Sequence, residues 1–153
     1  MSSTILISGG TLPDGKKSDL LIKDGVIAEI ATSIKAEGAH TIDASKAILL
    51  PGLVDLHTHL REPGKEDAET VESGSRAGVK GGFTALSAMA NTSPVADTAG
   101  VVEQVYRLGQ SAGLLDVFPI GAVTRGLEGE HLAEIGAMAD SVARVRVFSD
   151  DGH

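Results

Sequence analysis

Apolar and polar positions change their spacing near Pro51, and that change divides the chain into two styles of structure. Residues 4 to 50 carry short apolar runs cut by turn signals: "TILISGG", "SDLLIKDG", "VIAEIA", "HTIDA" and "KAILL". Runs of this length, bounded by Gly and Asp, predict strands. Asp14-Gly15 and Asp24-Gly25 predict hairpin turns, because Gly takes positive φ at little cost. Beyond Pro51 the pattern becomes strand then helix, repeated. "LVDLHTHL" predicts a strand in which Leu53, Val54 and Leu56 are buried. "EDAETVESGSRAGVKG" has helical spacing, with Ala68, Val71, Ser75 and Val79 near one face and Gly81-Gly82 as the stop. "FTALSAMA" predicts a second strand ending at Asn91. A helix follows from about Asp97 to Ala112, with Val101, Val102, Val105 and Leu108 on its apolar stripe. "LLDVFPIGAVT" predicts a third strand, "GEHLAEIGAMAD" a third helix and "ARVRVFSDDG" a fourth strand.

Strands alternating with helices imply parallel βαβ units, so the expected class is α/β. Residues 1-50 form a small β-rich segment and residues 51-153 a region of about four βα strands. An eight-stranded barrel of this kind typically needs about 250 residues. Four strands are half of one, and a half barrel leaves edge strands and an apolar face open. Either an open four-stranded sheet or a part of a larger barrel is expected. Self-association is the expected cover for the open face.

Composition narrows the chemistry. The 153 residues carry a formal net charge of −8, which argues against a nucleic-acid surface. Hydrophobic residues make up 42% and charged residues 22%, values of a globular protein with a core. No apolar run approaches the ~18 residues that span a bilayer. "MSSTILISGG" lacks a basic leader with a long apolar stretch, so no secretory signal is predicted and a cytoplasmic location is the expectation. With zero Cys, any metal must be held by His and carboxylates.

Polar residues gather where the predicted strands end: His57, His59 and Arg61 after the first, Asn91 after the second, Asp150 and Asp151 after the fourth. Ligands of parallel α/β sheets bind at the carboxyl ends of the strands. His57, His59 and Arg61 recur at a spacing of two, so within one strand they share a face. Two imidazoles and a carboxylate are a partial ligand set for zinc or a similar divalent ion, which makes a nucleophile available from water near neutral pH. Arg61 and Asn91 offer the fork and amide donors that hold a carboxylate. Each signal also has a plainer meaning. The His-x-His pair fits a surface strand, Asp150-Asp151-Gly152 fits a turn, and Asn91 fits a turn or helix cap. His40 stands alone and reads as a surface or strand-end residue.

"PGLVDLHTHLREPG" resembles the first barrel strand of the amidohydrolase superfamily, and of dihydroorotases in particular. The resemblance continues through "ETVESGSRAGVKGGFTALSAMANTSPVAD", with its Met-x-Asn-Thr loop, to "VFSDDG". It covers essentially the whole chain but only the amino-terminal half of the family's usual length. It implies the amino-terminal half of a (β/α)8 TIM-type barrel preceded by a small β-sandwich segment. It implies that His57 and His59 bind the more buried metal, that Asp151 bridges two metals, and that Arg61 and Asn91 hold the substrate's carboxylate. The implied cofactor is zinc, and the implied reaction is the reversible cyclisation of N-carbamoyl-L-aspartate to L-dihydroorotate in pyrimidine synthesis. Relatives that bridge their metals with a carboxylated lysine have no counterpart here, since the nearest upstream Lys is Lys80 in the first predicted helix. Ala90 stands where many members have proline. Two further metal histidines and the catalytic aspartate belong to later strands, so no catalytic base is expected in this chain. His153 is not expected to replace them. Two other classes stay open: a non-catalytic module that assembles with aspartate transcarbamoylase, and a related cyclic amidase such as a hydantoinase or allantoinase.

Overall fold

The computed structural model describes residues 4–151. Their contacts divide into two units, one up to Pro51 and one from Gly52. In the first, β1 (Thr4–Thr11), β2 (Lys17–Lys23), β3 (Val26–Ala31) and β4 (His40–Asp43) form one sheet in the order β3-β2-β1-β4. The two hairpins are antiparallel, and β4 joins β1 in parallel. Asp24 at φ 49° and Gly25 at φ 79° give the two positive values that a tight two-residue hairpin turn demands. "KAILL" departs from expectation, since Ile48 makes one isolated bridge to Thr11 and no strand. His40 opens β4 and is exposed.

Leu6, Leu21 and Ile34 form the small core of this unit, and Asp19 is buried beside it. Its carboxylate accepts from the Ile34 N–H at 2.9 Å, the Gly9 N–H at 2.8 Å and the Ser8 hydroxyl at 3.1 Å. These bonds, the Ile34 N–H first, hold the Asp19 carboxyl below its ordinary range against the opposing effect of burial. A depressed folded value stabilises the protein above the unfolded value of about 3.9 and is lost as pH falls through the folded one. Denaturant midpoints compared at pH 7 and pH 3 should therefore fall with acid, and Asp19→Asn should flatten that fall. An unchanged acid sensitivity in the variant would assign the effect elsewhere.

The second unit alternates β5 (Leu53–Thr58), α1 (Val71–Lys80), β6 (Phe83–Ala88), α2 (Ala99–Ala112), β7 (Asp116–Pro119) and α3 (Ile135–Asp140). The strands lie parallel in the order β5-β6-β7, so the class is α/β as expected. Thr70 caps α1: its hydroxyl accepts from Ser73 N–H while the Ser73 hydroxyl accepts from Thr70 N–H, a reciprocal box. Val71 and Ser75 are buried on its inner face, whereas Val79 is exposed and Ala68 precedes the helix. In α2, Val102 and Val105 are buried, and Thr98 rather than Asp97 occupies the cap position. Gly109 lets α2 approach the sheet, because a Cβ there would lie 2.6 Å from the Val117 Cβ. Leu60, Val71, Leu86, Ala88, Val105 and Val117 close the core between helices and sheet. A second cluster centres on Val102, Ala122, Met138 and Val145. No helix among the described residues is long and apolar enough to cross a membrane.

Three expectations need correction. Leu53, Val54 and Leu56 are 45%, 55% and 73% exposed, because among the described residues β5 is an edge strand with β6 as its one neighbour. The third helix covers only Ile135–Asp140. Its expected first turn instead binds other segments: His131 C=O accepts from Arg125 N–H, Ala133 N–H donates to Val123 C=O, and Glu134 N–H donates to Asp97 C=O. The fourth strand is reduced to one parallel bridge between Gly121 and Phe148. It consists of Gly121 N–H to Val147 C=O at 3.1 Å and Ser149 N–H to Gly121 C=O at 2.9 Å. β7 ends at Pro119, so little ladder remains to pair with, and Arg144 at φ 47° breaks the extended run. Among the described residues, three parallel strands stand where about four were expected.

Candidate functional site

The carboxyl ends of β5 and β6 and the Phe148 bridge bring one group of side chains together. β5 stops at Thr58, so His57 is its penultimate residue and His59 lies just outside it. His57 Nε2 lies 3.2 Å from His59 Nε2 and 2.9 Å from Asp151 Oδ2. One donor atom from each of His57, His59 and Asp151 falls within 4.8 Å of the others. Zinc bonds of about 2.0–2.1 Å in tetrahedral array separate ligand atoms by about 3.3 Å, so the spacing suits such an ion. His57 and Asp151 are half exposed, with side-chain values of 54% and 55%.

The second nitrogen of His59 fixes what the first can do. His59 Nδ1 lies 2.9 Å from Asn91 Oδ1, and a carboxamide oxygen can only accept. The ring hydrogen therefore sits on Nδ1, and the Nε2 lone pair faces His57 and Asp151. Two imidazole nitrogens and a carboxylate oxygen converge, an arrangement that calls for either a hydrogen on His57 Nε2 or a cation among them. The donor set and its orientation thus fit a divalent ion.

Arg61 breaks the spacing of two that the sequence suggests. Its φ of 62° lies in the left-handed region, so the face shared within a strand does not extend to it. The residue is half-buried, and its guanidinium makes no hydrogen bond or ion pair among the described residues. Its loop is tied to the Asn91 loop by Ser93 N–H donating to Pro63 C=O at 2.9 Å. Gly64, at φ 103°, leaves no room between them: a Cβ there would overlap the Ser93 carbonyl oxygen. Glu62 anchors the same loop to α1, accepting from Val71 N–H at 2.7 Å.

The adjacent acids divide their roles. Asp150 accepts from Val123 N–H at 2.8 Å, Thr124 N–H at 3.0 Å and the Thr124 hydroxyl at 2.6 Å. It fastens the chain to the segment after β7, while Asp151 reaches His57. The anchoring role of Asp150 has no sequence signature, because its donors include the main-chain groups of Val123 and Thr124. The Asn91 to His59 bond is equally silent, since the pair is separated by a helix and a strand. Lys80 occupies the last turn of α1. His153 lies outside the described residues.

Residues 46–153 match the family described as dihydro-orotase-like. The chain is 64% identical over 149 residues to a dihydroorotase of Leifsonia xyli subsp. xyli, covering 97% of this chain and 34% of that protein. It is 61% identical over 152 residues to a dihydroorotase of Streptomyces coelicolor, covering 99% and 35%. The chain thus spans about a third of the length of these relatives, less than the half implied by the resemblance. Among solved structures, an L-hydantoinase (dihydropyrimidinase) from Arthrobacter aurescens is similar at a TM-score of 0.70 and 25% identity, covering 83% of this chain and 29% of that one. With the family match reaching from Lys46 through both histidines to the paired acids, the chain belongs to the dihydro-orotase-like family.

Proposed function

We propose that this chain supplies the amino-terminal part of a dihydroorotase, which interconverts N-carbamoyl-L-aspartate and L-dihydroorotate. The convergence of His57, His59 and Asp151, in a chain 64% identical to a dihydroorotase, carries this reading. The three side chains would hold the metal, with zinc favoured by the nitrogen and carboxylate donors. When bound, a divalent ion supplies Lewis acidity toward the reacting carbonyl and an activated water. Arg61, whose guanidinium has no partner among the described residues, and the amide nitrogen of Asn91 would bind the substrate's carboxylate and fix its orientation. The proton-transferring aspartate is expected from a later segment, so the 153 residues alone should turn over negligibly.

The exposed Leu53, Val54 and Leu56 support burial of β5 by further barrel strands, and Val26, Ile27 and Ile30 support a second sheet facing β1–β4. Self-association of the chain would cover the same surfaces in the absence of those segments. A cytoplasmic location fits pyrimidine synthesis. A hydantoinase-like reading has the structural likeness in its favour. Asp151 beside His57, with no lysine in that position, supports the dihydroorotase instead.

The test combines this chain with the remaining two-thirds of a dihydroorotase relative, loads zinc and assays both directions of the reaction. Activity on dihydroorotate in the combined protein and none in the chain alone is expected. A combined protein that opens hydantoins but not dihydroorotate would overturn the assignment.

A further inference from the structure

We infer that Asn91 is a positioning residue for His59, acting through its side-chain carbonyl as well as serving the substrate through its amide nitrogen. This deepens the metal reading proposed above and rests on it. The observation is the 2.9 Å contact between Asn91 Oδ1 and His59 Nδ1 in a partly buried setting. A neutral imidazole carries one ring hydrogen, and its placement decides which nitrogen can bind a cation. With the hydrogen held on Nδ1, Nε2 presents its lone pair toward the point it shares with His57 and Asp151. Without that acceptor, the hydrogen is free to move to Nε2, where it blocks a ligand and points at His57.

Asn91 is well placed to act as a fixed acceptor. Its loop is closed by Thr92 hydroxyl donation to Pro94 C=O at 2.7 Å and by Ala96 N–H donation to Ala90 C=O at 3.0 Å. Ser93 N–H ties it to Pro63, so the carbonyl oxygen meets the ring at little further ordering cost. The two ends of one carboxamide thus divide the work: the oxygen faces a metal ligand, and no hydrogen bond among the described residues uses the nitrogen. A residue whose substrate role is suggested by resemblance gains a second task that substrate contacts alone would not require.

Two variants separate the tasks. Asn91→Ala removes both ends of the carboxamide. Asn91→Asp keeps an acceptor toward His59 but loses the donor toward a substrate carboxylate. Zinc affinity is read by competition with a chromophoric chelator, and the His59 ring form by NMR of chain labelled with 15N-histidine. Outer partners of metal-binding histidines typically govern affinity about 10- to 100-fold, so Asn91→Ala should weaken zinc by that factor. It should also shift the metal-free His59 from the Nδ1–H toward the Nε2–H form. Asn91→Asp should hold zinc within about threefold of the wild type, or tighter, with the Nδ1–H form kept. Equal zinc affinity in all three proteins, equal loss in both variants, or an Nε2–H form in the wild type overturns the inference. A wild-type chain that binds no zinc at all overturns the metal reading itself, and the NMR comparison then decides the hydrogen-bond claim by itself.

Discussion

Replacing His57 with alanine is expected to lower zinc affinity of the chain by more than about 100-fold, beyond the range seen for loss of an outer partner. His57 Nε2 is the atom that contacts both other donors, at 3.2 Å to His59 and 2.9 Å to Asp151. Its removal leaves one imidazole and one carboxylate, short of the three or four protein ligands on which zinc sites depend. The loss should not arise from unfolding. The His57 side chain is 54% exposed, and surface substitutions usually stay within about 0.5 kcal/mol. Chelator competition and denaturant titration on the same preparation make the comparison. An alanine variant that retains wild-type affinity would place the metal elsewhere.

Gly64→Ala is expected to destabilise the chain by about 3 kcal/mol or more, adding backbone strain to steric overlap. At φ 103° an L side chain is already strained, and the new Cβ would meet the Ser93 carbonyl oxygen, a backbone atom with little freedom to move. Relief requires parting the Arg61 loop from the Asn91 loop and breaking the Ser93 to Pro63 hydrogen bond. Zinc affinity should fall too, because Asn91 would draw away from His59. Gly82→Ala isolates the strain, since Gly82 has φ 88° but open space at its Cβ position. That variant should lose only about 1–2 kcal/mol. Denaturant midpoints of the two variants test the difference, and equal losses would show that overlap contributes nothing.

Local features were well marked in the sequence, while features built from distant partners were not. Asp24-Gly25 announced its hairpin because both residues accept positive φ. Helix α2 was visible because Val102 and Val105 repeat at helical spacing, and the left-handed Gly113 ends it. The alternation in "LHTHLR" pointed to His57 and His59 as neighbours, yet it misplaced Arg61, whose backbone turns left-handed after the strand has ended. "ARVRVF" has the composition of a strand, but a ladder needs a partner of equal length, and that property belongs to β7 and not to the run itself. "GEHLAEI" looked helical until its main-chain groups were claimed by Val123, Asp97 and Arg125. Asp151 could be named because it followed a strand-like run, whereas the anchoring of Asp150 depends on amide groups that no letter encodes.

Asp150 and Asp151 look interchangeable in the sequence, but the chain gives them opposite duties, one clamped to Thr124 and the other turned toward His57. A deletion of the single position between Phe148 and Asp150 would bring Asp151 to the Thr124 clamp and leave no carboxylate facing His57, although the composition of the motif would barely change. Length, as well as the identity of the two acids, is therefore what this short stretch has to conserve. Natural variation there should be found as exchanges at Ser149 and not as gaps.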